Sequence, residues 1–207
     1  MSEIITFNTE KAVEHGLQQN LKQGPKAPTF KLVAETDPIL KEVMPEFDFA
    51  NAPVNPNEFA SSMVETCIQN KGYGLSANQC GFRYRMFVMG AGDDYVAFFN
   101  PKVTSYSTKD THMMEGCLSF PFLGLMITRP EEIHVEYQDF NGQKKTATFN
   151  GISARCFLHE LDHMNGVVYT SRVKPLALQT GMKKRNKVKQ LIEKAKKAGA
   201  LIEKATT

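Results

Sequence analysis

The 207-residue chain contains no run of 18 apolar residues, which excludes a membrane-spanning helix. It has no C-x-x-C pair either. Cys67, Cys80, Cys117 and Cys156 stand far apart, so they read as buried side chains plus one candidate ligand rather than as a disulfide framework. The Gly72-Tyr73-Gly74 stretch is followed neither by Gly-Lys-Ser/Thr nor by a third glycine at dinucleotide spacing, which argues against a phosphate-cradling loop. The first ten residues show neither a basic start with an apolar run nor an arginine-rich, acid-poor character. A cytoplasmic location is therefore expected.

Hydrophobic residues make up 42% of the chain and charged residues 23%, values of a globular protein with one domain, or one domain and an appendage. The net charge of +3 hides an uneven division. Residues 183–204 hold nine Lys/Arg against two Glu, a net of +7, which leaves 16 Lys/Arg against 20 Asp/Glu, a net of −4, elsewhere. An acidic body thus carries a basic tail. In that tail Val188, Leu191, Ile192, Ala195, Ala198, Leu201 and Ile202 share one face of a predicted helix over 182–204 whose other face is mostly lysine. Three readings stand for it: a solvated helix packed on the body, a surface for RNA phosphates, or attraction to a membrane surface.

Residues 1–28 form an irregular arm with at most a short helix at 9–21, and Pro45 and Pro53 break the segment that follows. Asn57 is placed to cap a helix over 58–70 in which Phe59, Met63, Cys67 and Ile68 recur at helical spacing; Met63 and Cys67 belong to its core side. Gly72 to Gly81 is rich in small residues, which permits close approach of backbone or ligand, and Gln79 can offer an amide N–H to an oxyanion; a plain glycine turn is the alternative. Short β-like runs follow at 84–89, 95–99 and 102–106. Ile133, Val135 and Tyr137 alternate with polar residues, and Asn141-Gly142 turns that strand into 143–149. His134 faces solvent on this pattern, and His112 is expected in a loop without a catalytic part.

The chemistry concentrates in residues 156–166. If 152–165 is helical, His159 and His163 stand one turn apart on one face and both imidazoles reach one metal, with Glu160 beside it. A carboxylate next to a metal-held water can take its proton and return it to a leaving amine, which describes hydrolysis. An accidental His-Glu spacing on a solvated helix is the rival reading. The third ligand must lie elsewhere, and Cys117, flanked by Gly116 and followed by Ser119 and Pro121, is exposed backbone territory where a thiolate can meet a metal, although a buried free cysteine is the commoner fate.

Three segments, Gly72-Tyr73-Gly74-Leu75-Ser76-Ala77-Asn78-Gln79, Glu115-Gly116-Cys117-Leu118-Ser119 and His159-Glu160-Leu161-Asp162-His163, in this order and at these separations, resemble the peptide deformylase family. Its motifs are Gly-x-Gly-x-Ala-Ala-x-Gln, Glu-Gly-Cys-x-Ser and Gln-His-Glu-x-Asp-His-x-x-Gly. The likeness spans about residues 30–180. Ser76 departs from the first alanine and Leu158 from the glutamine before the first histidine; neither removes a group from the metal site.

The resemblance implies an α+β fold, with antiparallel or mixed β-sheets packed around a central HExxH-bearing helix and an amphipathic C-terminal helix. The expected division is an arm over 1–28, a catalytic domain over 29–181 and a basic helix over 182–207. It further implies one divalent metal on Cys117, His159 and His163, iron(II) in the cell with zinc or nickel as substitutes, and hydrolysis of the formyl group from the N-terminal methionine of new peptides. Glu160 would move the proton, and Gln79 with the backbone N–H of Leu118 would face the oxyanion. The methionine side chain would lie beside Tyr73, Gly74, Leu118 and the turn before His159. Arg155 and Cys156, four and three residues ahead of His159, fall toward the ligand face; for Arg155 a pocket role and an ion pair with a nearby acid both stand. Arg129, Glu115 and Asp162 read as structural support. Expected partners are formyl-methionyl nascent peptides and, through 183–204, the ribosome, with no DNA. A zinc endopeptidase is the main rival and would want a third His or Glu ligand; a non-enzymatic binding module that keeps the fold is the second.

Overall fold

The computed structural model describes residues 27–92 and 94–205, with side chains to Ala198. The helix expected at 9–21 and nearly all of the arm lie outside the described residues. The elements run α1 (Pro56–Gln69), β1 (Gly74–Ser76), β2 (Met86–Ala91), β3 (Asp94–Tyr106), β4 (Asp110–Glu115), β5 (Leu125–Pro130), β6 (Glu132–Gln138), β7 (Lys144–Asn150), α2 (Gly151–Met164) and α3 (Pro175–Ala205), with short 3-10 turns between them. Strands pair antiparallel into a five-stranded sheet ordered β1-β2-β3-β6-β7 and a two-stranded sheet of β4 and β5. This is an α+β fold.

The apolar runs of β2 and β3 do not alternate because their half of the sheet is covered on both faces. Phe87, Met89, Val96 and Phe98 point into one core cluster with Phe157 of α2. Met86, Val88, Ala97 and Phe99 point into another with Phe59, Met63 and Cys67 of α1. At β6 and β7 no second layer is found among the described residues, so Ile133, Val135, Tyr137, Ala147 and Phe149 are buried and the polar alternation becomes visible.

Several sequence expectations shift. The first helix is capped by Asn55, whose side chain accepts from the amides of Asn57 and Glu58, because Pro56 occupies the first helical position where no N–H is needed. The runs at 95–99 and 102–106 form one strand; Asn100 passes the break with φ of 49° while its side-chain amide bonds the Phe47 backbone and donates to the Gln138 side-chain oxygen. His112 lies in a strand and not in a loop, exposed and bonded to Thr128 across the β4–β5 pair. The C-terminal helix starts at Pro175 rather than 182, and Leu178, Met182 and the buried Arg185 face the body. Arg185 donates to the Pro121 carbonyl at 2.9 Å and pairs with Glu35. Beyond it the expected apolar face is largely open, with Val188 and Leu191 exposed.

Helix α2 packs against β1, β2, β5, β6 and β7. Its Phe157 ring lies 5.1 Å from that of Phe87 and 5.4 Å from those of Phe98 and Phe149. Phe157→Ala is therefore expected to destabilise the fold by about 3–5 kcal/mol, as truncation of a fully buried ring leaves a cavity. Denaturant unfolding with a matched slope would measure this.

Candidate metal centre

The helix that carries both histidines, expected over 152–165, spans Gly151–Met164. Gly166, with φ of 68°, lets the chain leave it where an added Cβ would sit 2.6 Å from the Lys41 carbonyl oxygen. One turn of α2 separates His159 and His163, and the loop after β4 brings Cys117 between them. The thiol and one ring nitrogen of each histidine all lie within 4.8 Å of one another. Cys117 Sγ is 3.4 Å from His163 Nε2. The Nδ1 of His163 is buried without a partner among the described residues, so no hydrogen bond competes to turn that ring. A thiolate and two imidazoles leaving a fourth position open suit a divalent metal in a catalytic rather than a structural site.

His159 is oriented from behind. Its Nδ1 lies 3.1 Å from Glu115 Oε2, leaving Nε2 for the triad. Glu115 also accepts from Arg129 Nε at 2.6 Å and Nη2 at 2.8 Å, and from Arg155 Nη1 at 2.6 Å. Arg129 reaches Asp162 with its remaining nitrogen at 2.9 Å, and Arg172 holds the same carboxylate from outside. Burial alone would raise the Glu115 pKa, but Arg129 and His159 outweigh it and pull it down to about 2. Burial likewise opposes charge on His159, yet Cys117 and Glu115 hold its pKa up at about 10, so a metal must displace a proton there. His163 is pushed well below the ordinary range by burial and by His159, which leaves its ring neutral and its lone pair free.

Gln79, almost fully buried, accepts from the Ser76 amide at 2.8 Å through Oε1; its Nε2 donates to Ser119 Oγ at 3.0 Å and lies 3.4 Å from Cys117 Sγ. Glu160 is buried beside β1, and burial raises its pKa. A Cβ on Gly74 would meet Glu160 Cδ at 2.8 Å, and one on Gly72 would meet Leu118 Cδ1 at 2.7 Å, so these glycines admit the two neighbours. Tyr73 is exposed, and Cys156 is half-buried against the α2 core.

Of the two readings of Arg155, the ion pair with a nearby acid is the one found. Its guanidinium is buried against Glu115, the Ile127 carbonyl at 2.9 Å and the Thr111 carbonyl at 2.8 Å, on the β4–β5 side of α2. The four-residue spacing to His159 was right, but the long stem carries the charge to the acid behind the histidine and not to a substrate pocket. Thr111 and Arg172 were missed as neighbours of the site, and Ser76 and Ser119 were given no role, although Ser76 stands as a hydroxyl at an alanine position of the first motif and Ser119 closes the second.

The polypeptide deformylase family model matches residues 29–179. A peptide deformylase of Thermotoga neapolitana is 39% identical over 140 residues, covering 67% of this chain and 84% of the relative; one of Finegoldia magna is 36% identical over 141 residues, covering 67% and 86%. Among solved structures, the peptide deformylase of Synechococcus elongatus in complex with actinonin superposes with a TM-score of 0.71 at 29% identity, covering 80% of this chain and 91% of that one. That of Thermotoga maritima gives a TM-score of 0.64 at 34% identity, covering 71% and 99%.

Because the Glu115 pKa is depressed from 4.5 to about 2, the stability it contributes is complete above about pH 4.5 and is lost as pH falls toward 2. Glu115→Gln is expected to cost about 3–5 kcal/mol at neutral pH by leaving the buried Arg155 without a carboxylate and Arg129 with Asp162 alone. The metal-free variant should also lose this acid-range slope, measured by urea unfolding across pH 2–6.

Proposed function

The chain belongs to the peptide deformylase family, enzymes that hydrolyse the N-formyl group from nascent peptides, and from that premise we propose the residue roles by which it does so. The observation that carries the assignment is the convergence of Cys117, His159 and His163 beside the buried carboxylate of Glu160. These three side chains are the metal ligands, and α2 is the helix around which the site is organised. Iron(II) is the working metal by family resemblance, and zinc or nickel would accept the same donors. When bound, the metal supplies Lewis acidity and an acidified water.

Glu160 takes a proton from the attacking water and passes it to the amide nitrogen, so that the formyl carbon–nitrogen bond breaks and formate leaves. The raised pKa of the buried carboxylate suits a group that must both accept and return a proton. Gln79 Nε2, aimed beside Cys117 by the Ser76 amide, and the backbone N–H of Leu118 face the developing oxyanion. Tyr73, Gly74, Leu118 and Cys156 border the place for the methionine side chain. Arg155 supports Glu115 instead of bordering that place. A zinc endopeptidase would need a third His or Glu, whereas the third group here is a thiol.

Residues 29–181 constitute the catalytic unit, and the basic helix that continues past them is an appendage suited to ribosomal RNA in the cytoplasm. No helix among the described residues is long and apolar enough to cross a membrane. The exposed Lys183, Lys184, Lys187, Lys194, Lys196 and Lys197 support this reading.

Formate release from a formyl-methionyl peptide, with casein as the control substrate, tests the activity. Cys117→Ser should lose metal, as elemental analysis would show. Glu160→Ala should keep it and lose about 10²–10⁴-fold in kcat. Near-normal turnover with metal bound would remove Glu160 from its role. Ribosome co-sedimentation should weaken steeply with salt; association that ignores salt, or none at low salt, argues against docking through the lysines.

A further inference from the structure

Strand β1 presents Gly74 and Ser76, two residues apart, to the same side, and both meet Glu160. The glycine supplies space, since any side chain there would overlap the carboxylate. The serine supplies a hydrogen bond. Ser76 Oγ lies 2.7 Å from Glu160 Oε2 and 3.2 Å from the Glu160 backbone carbonyl oxygen. Ser76 is 0% exposed and Glu160 3%, so water does not reach them freely to take over this contact. The side chain of Glu160 has three torsions, the last of them broad, and a buried carboxylate with no donor would settle wherever the cavity allowed.

We propose that the Ser76 hydroxyl is a positioning residue for the deformylation reaction, holding the Glu160 carboxylate in the one orientation from which it can exchange a proton with the water and the leaving nitrogen. The hydroxyl reaches Oε2 of the side chain and lies near the backbone carbonyl oxygen of the same residue, so one short group seats the carboxylate against its own helix. Alanine, the residue of the family motif at this position, offers no such donor.

The inference rests on Glu160 as the base, and the test separates the two. Wild type, Ser76→Ala, Ser76→Cys, Glu160→Ala and Ser76→Ala/Glu160→Ala are compared for kcat, KM, metal content and melting temperature. Ser76→Ala is expected to lower kcat about tenfold with KM within about twofold and full metal content. Ser76→Cys, which keeps the volume but donates weakly, should follow alanine. In the Glu160→Ala background the serine change should have no further effect, because nothing remains for it to hold. A crystal structure of Ser76→Ala should show the Glu160 carboxylate displaced or split between conformers with the three ligands unmoved.

Full kcat in Ser76→Ala, full recovery in Ser76→Cys, or an equal loss in both backgrounds would each overturn the positioning role. A loss that tracks metal content or melting temperature would do the same. Near-normal turnover of Glu160→Ala alone would instead strike the underlying reading.

Discussion

The carboxylate of Glu115 is the joint on which the site depends. It sits at the end of β4, two residues before Cys117, and gathers Arg129 from β5 with Arg155 and His159 from α2. One buried anion thereby fastens the loop that carries the thiol to the helix that carries both imidazoles. Two cations on one carboxylate would be costly to bury alone, and Asp162 relieves this by sharing Arg129. The same anion selects the nitrogen that His159 turns to the triad. Position, tautomer and charge balance follow from one residue.

On the other side of α2 the small residues in and just before β1 do the complementary work. Gly72 and Gly74 bring the chain so close that Leu118 and Glu160 fill the places of absent side chains. Ser76 faces two ways: its amide fixes Gln79 and its hydroxyl fixes Glu160. Asn78 then ties the segment to the end of α2 through the His163 carbonyl at 2.9 Å. The helix is thus held between an ionic network and a close-packed strand, and the reactive side chains lie where the two meet.

The C-terminal helix shows what a periodic pattern can and cannot convey. The apolar stripe from Val188 onward is real as a pattern, but among the described residues the body ends near Arg185, and Val188 and Leu191 stay exposed. Its anchor is a buried arginine on Glu35 and the Pro121 carbonyl, which no hydrophobic period would reveal. The hairpin of β6 and β7, covered on one face only, was readable to within a residue at its second strand for the converse reason. β4 and β5 went unseen because their alternation is short and their buried positions include Glu115 and Arg129, charges that look like surface until their partners are known.

Local chemistry was written in the chain itself. A four-residue spacing puts two imidazoles on one helix face whatever surrounds them, and glycine, proline and asparagine mark turns through their own backbone preferences. The metal helix, the first helix and the hairpin turn were therefore within reach of the sequence. Which partner each long side chain would choose was not. Arg155 had an acid and a pocket both plausible at its spacing, and only the packing of β4 and β5 against α2 placed Glu115 at its end. Ser76 had no visible partner at all until an 84-residue separation closed over Glu160. Contacts between segments remote in sequence depend on the summed burial of both, and that sum exists only once the chain has folded.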